Sequence, residues 1–293
     1  MQEQGGADPA LPAAAHKQKI SFCRSADRVN IAYAAVGAGP TLVKTANWLT
    51  HLEYDWESPV WLPLLQRLAG KNRLIRYDSR GNGLSDRNVD EISLTSFLSD
   101  LEAVIDAVKP EPFAMLGISQ GAAIAVAYAV RHPEMVTKLI LHGGYALGRN
   151  RRGSAEEIEK GRIFLSMMQH GWGDEHSAFM RAFTSVFIPS GTSEQIKWLA
   201  DLQRITTTPD NATRIRNACD DIEIKGLLSK VQVPTLVLHC RHDNVAPLEQ
   251  GRLLAASIPN ARFVTLESDN HVLLAGEPAW TKFIDEVEAF LAS

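Results

Sequence analysis

The chain has 293 residues, of which 45% are hydrophobic and 22% charged, and this predicts a soluble globular protein large enough to bury a full core. Its net charge of -4 excludes a general basic footprint for nucleic acid, and no apolar run reaches the length of about 18 residues that a membrane span requires. Three widely spaced cysteines form neither a disulfide framework nor a C-x-x-C pair, so we predict a cytoplasmic protein.

The first residues of the chain lack the pattern of a secretory signal. Met1 to Ala15 carry Glu3 and Asp8 together with two prolines, and contain neither a basic segment nor a continuous apolar segment. We therefore expect residues 1–16 to form a disordered leader.

Strands and helices alternate in the first half of the chain. Segments rich in β-branched and aromatic residues at 19–23 and 29–36 flank a turn, which predicts an antiparallel pair. Further strands are predicted at 41–45, 73–77, 113–117 and 136–141, and helices at 56–69, at 93–108 and after residue 121. This alternation is typical of a mostly parallel sheet covered on both faces.

The alternation stops after residue 147. A polar stretch at 148–153 contains Arg149, Arg151 and Arg152, which we interpret as a solvated linker, and the pattern that follows is helical to about residue 221. Strand and helix alternation then resumes to the end of the chain. We predict an α/β core made of residues 17–147 and 227–293, with a helical cap at 148–226.

A G-x-S-x-G pattern surrounds Ser119, between a strand-like segment ending at Gly117 and an alanine-rich, helix-forming segment after Gly121. In such an elbow the serine is held in a strained backbone conformation, and its hydroxyl projects above the carboxyl edge of the sheet. We therefore predict that Ser119 is a nucleophile.

A serine nucleophile needs a base, usually a histidine that a carboxylate holds in one tautomer. Asp243 follows one predicted strand and His271 follows the next, so in a parallel sheet both lie at the same edge as Ser119. Taken singly, Asp243 could close a turn and His271 could be an ordinary histidine, but their order and placement predict a triad. No metal-ligand spacing such as H-E-x-x-H occurs, and we predict neither a metal nor a cofactor.

These features together resemble the α/β-hydrolase family. Besides the elbow, residues 77–86 look like the family's D-x-R-G-x-G-x-S motif, and the acid and histidine loops occur in the family's order. The resemblance covers about residues 19–293, and residues 46–61 resemble a subgroup that also occurs fused to nucleotidyl cyclases or regulatory DNA-binding domains. It implies an α/β-hydrolase fold, with a mostly parallel central sheet flanked by helices and a helical cap insertion.

The resemblance also implies an oxyanion hole formed by the backbone N–H groups of Trp48 and Gln120. Where the family usually has His-Gly after the third strand, this chain has Ala46 and Asn47. Backbone donors tolerate such side-chain changes, so the expected activity stands.

The implied activity is that of a serine hydrolase that cleaves carboxylic esters through an acyl-enzyme intermediate. A serine at the elbow, rather than an aspartate, argues against haloalkane dehalogenases and epoxide hydrolases. Lactonase, perhydrolase or C–C hydrolase chemistry could use the same triad, and a non-catalytic ligand receptor is the alternative from another class.

The predicted cap contains more apolar side chains than a surface helix pair needs, and we expect some to line the substrate pocket. The pocket residues predicted are Phe164, Met168, Phe183 and Phe187. A closed apolar pocket favours small or medium uncharged hydrophobic esters. The expected partner is thus a small-molecule ester, with no nucleic acid and no membrane, and a homodimer is left open.

Overall fold

The computed structural model of the protein describes residues 18–173 and 177–293, apart from the side chain of Glu157. The predicted leader, residues 1–16, lies outside the described residues. Within these ranges, none of the helices has the length and apolar character that crossing a bilayer requires.

A central sheet runs through the described part of the chain. Its strands are β1 Lys19–Arg24, β2 Asn30–Val36, β3 Thr41–Lys44, β4 Arg73–Tyr77, β5 Phe113–Ile118, β6 Val136–His142, β7 Thr235–Cys240 and β8 Ala261–Leu266. They lie side by side in the order β1-β2-β4-β3-β5-β6-β7-β8. β2 pairs antiparallel with β1 and β4, and the other pairs are parallel. The prediction of a mostly parallel sheet is confirmed.

Helices follow the strands on both faces of the sheet. They are α1 Leu62–Ala69, α2 Leu94–Val108, α3 Gln120–Arg131, α4 Arg149–Arg152, α5 Ala155–Gly171, α6 Ala178–Ser185, α7 Ser193–Thr206, α8 Pro209–Asp220, α9 Lys225–Leu228, α10 Leu248–Ser257 and α11 Pro278–Ala292. The central strands β5 and β7 are buried at every position, as expected for strands covered on both faces. α2 begins at a capping box, in which Ser93 and Ser96 each accept a hydrogen bond from the other's backbone N–H.

The helix predicted at 56–69 is divided in two. A short 3-10 helix covers Tyr54–Glu57, and α1 begins only at Leu62. Ser58 lies between them in an extended conformation, because the residue before a proline is disfavoured in the helical region. Its hydroxyl then accepts hydrogen bonds from the backbone N–H groups of Val60 and Trp61 as the chain turns into α1.

Two buried carboxylates fix the loops that lead to the carboxyl edge of the sheet. Asp78, just after β4, accepts hydrogen bonds from Thr50 Oγ1 at 2.8 Å and from the N–H groups of Leu52 and Leu84 at 3.1 and 2.9 Å. Asp100 on α2 pairs with the fully buried Arg80 at 2.8 Å. The loop after β3 is thus tied to the loop after β4, and that second loop is tied to α2.

The predicted cap, residues 148–226 and hereafter the cap segment, contains α4 to α8 and the beginning of α9. Its two ends meet at a β-bridge between Leu147 and Glu223, flanked by hydrogen bonds from Gly148 N–H to Ile222 O and from Ile224 N–H to Ala146 O. At the end of α7, Thr206 O accepts a hydrogen bond from the N–H of Gly83 at 2.9 Å. The cap segment is therefore attached both to the chain beyond β6 and to the loop after β4.

Candidate active site

Ser119 lies between β5 and α3 with φ of 55° and ψ of -127°. A side chain at positive φ costs on the order of 1–3 kcal/mol, so the surroundings must hold it. Its N–H donates to His142 O at 2.9 Å and its carbonyl accepts from Ala122 N–H at 3.0 Å. These bonds fix the elbow, with Ser119 at the carboxyl end of β5.

Two glycines let α3 approach the sheet closely beside Ser119. A Cβ on Gly117 would lie 2.6 Å from Ala122 Cα, and one on Gly121 would lie 2.6 Å from Thr45 Oγ1 and 2.7 Å from Ala46 O. Thr45 Oγ1 instead donates to Gly121 O at 2.9 Å. The elbow is thereby packed against the loop that carries Trp48.

His271 and Asp243 form a buried hydrogen-bonded pair. Nδ1 of His271 lies 2.6 Å from Oδ2 of Asp243, and their side chains are 1% and 0% exposed. Oδ1 of Asp243 accepts from the N–H groups of Val245 and Ala246 at 2.8 and 2.9 Å. Burial alone would raise the pKa of Asp243, but the charge of His271 and its hydrogen bond outweigh burial and lower that pKa. An ionised Asp243 only accepts hydrogen bonds, so the proton of neutral His271 lies on Nδ1 and Nε2 carries the lone pair.

The lone pair on Nε2 of His271 is unpaired within the described part of the chain. Nε2 is buried and makes no hydrogen bond with the described residues, although Ser119 lines the same cavity. The backbone N–H of His271 donates to Phe187 O at 2.9 Å, and this bond ties the loop of His271 to the cap segment. The structure therefore brings a serine hydroxyl and an oriented base into one cavity.

Four other titratable residues near the pair do not line this cavity. His239 is fully buried, with Nε2 2.8 Å from Ala246 O, and burial lowers its pKa. Burial, followed by the charges of His271 and His239, lowers the pKa of His142 to about 3. Asp269 and His242 are exposed. Asp243, and not Asp269, is the aspartate bonded to His271.

The predicted oxyanion donors both lie beside Ser119. Gln120 is the first residue of α3, so its N–H has no carbonyl one turn earlier in the helix. The N–H of Trp48 has no hydrogen-bond partner among the described residues. Their side chains are held by the cap segment: Cys219 Sγ donates to Gln120 Oε1 at 2.6 Å, and Trp48 Nε1 donates to Gln203 Oε1 at 3.0 Å.

Two small cavities border Ser119, each of about 20 Å³, and both are also lined by Trp48 and Phe187. The histidine-side cavity contains His271 and is otherwise mainly apolar, with Trp61, Ile118, Leu199 and Val272. The arginine-side cavity is polar, with Gln120, Tyr145, Arg149, Arg152, Arg216 and Asp220. A volume of this size holds about one water molecule, so the site is nearly closed.

The interpretation of the arginine cluster as a solvated linker is wrong for Arg149 and Arg152. Both are half-buried and line the arginine-side cavity, whereas Arg151 between them is exposed. Arg152 donates to the carbonyls of Leu147 and Val245 at 2.9 and 3.3 Å, and its guanidinium lies over the Tyr145 ring at 5.6 Å. Arg152 can be partly buried here because main-chain acceptors and an aromatic face replace water around its guanidinium.

Phe187 is the predicted pocket residue that borders Ser119, since it lines both cavities. Phe183 packs behind it at 5.2 Å between ring centroids, and Phe164 packs on Phe183 at the same distance. Phe164, Met168 and Phe183 line neither cavity, which differs from the prediction. The reason is that the apolar faces of α5 and α6 pack against each other, so those side chains form a layer behind Phe187.

Several contributors to this site have no local signal in the sequence. Arg152, Arg216 and Gln203 reach it through the folding of the cap segment. Among the described residues, no group of three or more His, Cys, Asp or Glu side chains is arranged to hold a metal ion.

Comparison with known proteins finds the following relatives. A family model described as alpha/beta hydrolase fold matches residues 48–278. A pyrrolizixenacetamide deacetylase from Xenorhabdus hominickii is 24% identical over 272 residues, covering 90% of this chain and 95% of that protein. A pimeloyl-(acyl-carrier protein) methyl ester esterase from Nitrosomonas europaea is 24% identical over 240 residues, covering 80% of this chain and 90% of that protein.

Among solved structures, the esterase EaEST from Exiguobacterium antarcticum superposes with a TM-score of 0.77 at 23% identity, covering 93% of this chain and 99% of that one. At this identity the superposition shows the fold, and it matches the predicted fold class. The family model covers the elbow, the loop of Asp243 and the loop of His271, and more than half of the chain. This chain therefore belongs to the α/β hydrolase fold family.

Proposed function

We propose that the protein is a serine hydrolase that cleaves carboxylic esters through an acyl-enzyme intermediate. One observation carries the proposal: Ser119, on a strained elbow, shares a cavity with His271, whose other ring nitrogen is bonded to Asp243 at 2.6 Å. A nucleophile, a base and a group that orients the base are the three parts that acyl transfer requires.

In the proposed reaction, Nε2 of His271 takes the hydroxyl proton as Ser119 Oγ attacks the ester carbonyl. Asp243 keeps the proton of neutral His271 on Nδ1 and stabilises the imidazolium that forms. The tetrahedral oxyanion accepts hydrogen bonds from the N–H groups of Trp48 and Gln120, and one such donor is worth about 2.7–4 kcal/mol. His271 then protonates the leaving alcohol, and water, with His271 as base, releases the acid from Ser119.

The substrate class is supported by the lining of the site and by the relatives. Two of the similar proteins are named as esterases, one from Nitrosomonas europaea and one from Exiguobacterium antarcticum. The histidine-side cavity is small and mainly apolar, which suits a small to medium hydrophobic group. Each methylene buried there would add about 0.8 kcal/mol to binding.

A fluorophosphonate probe and a p-nitrophenyl ester test the proposal together. The probe should label the wild type and not Ser119→Ala, because only an activated serine beside oxyanion donors reacts quickly. His271→Ala should reduce kcat by roughly 10³ to 10⁶, while His242→Ala, at the exposed histidine beside Asp243, should leave it unchanged.

Two outcomes would reject the proposal. Hydrolysis that survives Ser119→Ala at the wild-type rate would exclude Ser119 as the nucleophile. A protein that binds esters and lactones without turnover would instead be a ligand receptor. Lactonase, perhydrolase and C–C hydrolase chemistry would use the same three residues, so the substrate panel includes lactones.

A further inference from the structure

We propose that the arginine-side cavity binds an ionised carboxylate carried by the acyl part of the ester. The inference rests on the proposed function and specifies its substrate as a monoester of a dicarboxylic acid. The residues that carry it are Arg152 and Arg216, on α4 and α8.

The lining of the cavity carries more cationic than anionic charge. Nε of Arg216 lies 3.1 Å from Oδ2 of Asp220, and these side chains are 11% and 8% exposed. Arg152 donates to two uncharged main-chain carbonyls, and it forms no ion pair with a carboxylate of the described side chains. Asp220 is the one carboxylate among the described residues that line the cavity, and it is paired with Arg216. A cation taken out of water without a counter-charge is costly, and a bound anion would remove that cost.

The geometry of the guanidinium groups suits a carboxylate. Arg152 is held over the ring of Tyr145 at 5.6 Å, and Tyr145 lines the same cavity. A guanidinium in a fixed orientation offers several N–H donors in one plane, which match the two oxygens of a carboxylate. Arg149 borders the cavity as well.

The position of His271 indicates which part of the ester faces the arginines. The leaving oxygen must lie next to Nε2 of His271 to be protonated, and His271 lines the histidine-side cavity. The acyl part then extends from Ser119 into the other cavity, which contains Gln120 and the arginines but not His271. Hydrolysis breaks the bond between the acyl carbon and the alcohol oxygen, and the oxygen of water enters the acid. The products are a dicarboxylate and an uncharged alcohol.

Entry of such a substrate requires side chains to move. The cavity of about 20 Å³ is smaller than a carboxylate with its carbon chain. Phe187 lines both cavities, so its displacement would widen both at once.

The test compares mono-p-nitrophenyl adipate with its neutral analogue, methyl p-nitrophenyl adipate, which shares the leaving group. For the wild type, kcat/KM should be about 10- to 100-fold higher for the charged ester, the worth of a charge-assisted hydrogen bond. Arg152→Met should remove most of this preference, with a much smaller effect on the neutral ester, and Arg152→Lys should restore part of it. The matched control is Arg151→Met, at the exposed neighbour in α4, which should keep the full preference.

If the wild type had equal kcat/KM for the two esters, and Arg152→Met lowered both values equally, Arg152 would only support the structure. The inference would then be wrong, and the proposed hydrolase function would still stand. Binding to Ser119→Ala tests the inference without turnover. Monomethyl adipate should raise the Tm of this variant more than dimethyl adipate does. Adding Arg152→Met to Ser119→Ala should abolish that difference in Tm. If the two ligands shift Tm equally, the cavity does not select an anion, whatever the outcome for the proposed function.

Discussion

Trp48 and Gln203 are joined by a hydrogen bond, in which the indole Nε1 donates to the side-chain oxygen at 3.0 Å. Gln203 is buried on α7, and its amide nitrogen donates to Thr184 Oγ1 at 2.8 Å and to Leu199 O at 3.2 Å. The Trp48 ring is also stacked on Phe187, with 13° between the ring planes. The side chain of Trp48 therefore attaches the loop with one proposed oxyanion donor to the cap segment.

Gln203→Leu should lower kcat by about tenfold and change KM less, because the N–H of Trp48 loses a fixed orientation that matters most in the transition state. Trp48→Phe removes the same hydrogen bond from the other side. The kcat of the double variant checks the coupling between the two side chains. It should be no lower than the kcat of either single variant, because each substitution removes the same hydrogen bond. Fully additive losses would show that the two side chains act independently.

Asp243→Asn should lower kcat by about 10⁴, because the amide no longer holds His271 in the tautomer with its proton on Nδ1. The matched control is Asp269→Asn, which changes an exposed carboxyl two residues before His271 and should leave kcat nearly unchanged. Steady-state kinetics of the two variants decide the assignment. A larger loss at Asp269 than at Asp243 would reverse it.

Lys44 should make folding stability depend on pH above neutrality. Burial, with a further contribution from Arg76, lowers the pKa of Lys44 to about 7, although Asp55 and Asp78 oppose the shift. An unfolded lysine has a pKa of about 10.4, so between these values the unfolded chain binds more protons and the free energy of unfolding rises with pH. The rise is at most about 1.4 kcal/mol per pH unit.

Urea unfolding of wild type and Lys44→Met at pH 7, 8 and 9 measures this effect. The difference between the two proteins measures Lys44 together with its effect on the neighbouring Asp55, because titrating groups that do not interact with Lys44 contribute equally to both. Wild type should gain stability relative to Lys44→Met as pH rises. A difference that stays constant over this range would mean that Lys44 keeps its charge in the folded protein.

The strands, the elbow and the order of acid and histidine could be predicted from sequence because their signals are local. The short strand-forming segments of β4 and β7, the glycines around Ser119 and the loop positions of Asp243 and His271 are all such signals. Pro59 is an equally local signal, but the prediction of one helix at 56–69 followed the apolar spacing and did not include the effect of the proline on Ser58.

The arginine-side cavity could not be predicted in this way. Arg152 and Arg216 are far apart in the chain and line one cavity because the cap segment folds back on itself, with its two ends joined by the bridge between Leu147 and Glu223. Whether a basic residue faces water or a cavity depends on the packing of α4 against the core, and the residue pattern of 148–153 contains no information about that packing.

Phe187 should set the length of uncharged acyl chain that the site accepts. Because the cavities beside Ser119 are small, kcat/KM for p-nitrophenyl esters from acetate to palmitate should rise over the first few acyl carbons and then fall. Phe187→Ala removes the ring that borders both cavities and should move the maximum towards longer chains, with a loss of stability that Tm records. Phe179→Ala is the matched control, since that ring packs on Phe164 and Phe183 and lines neither cavity. A wild-type maximum at palmitate would mean an open groove, and an unchanged maximum in Phe187→Ala would mean that another side chain limits the acyl site.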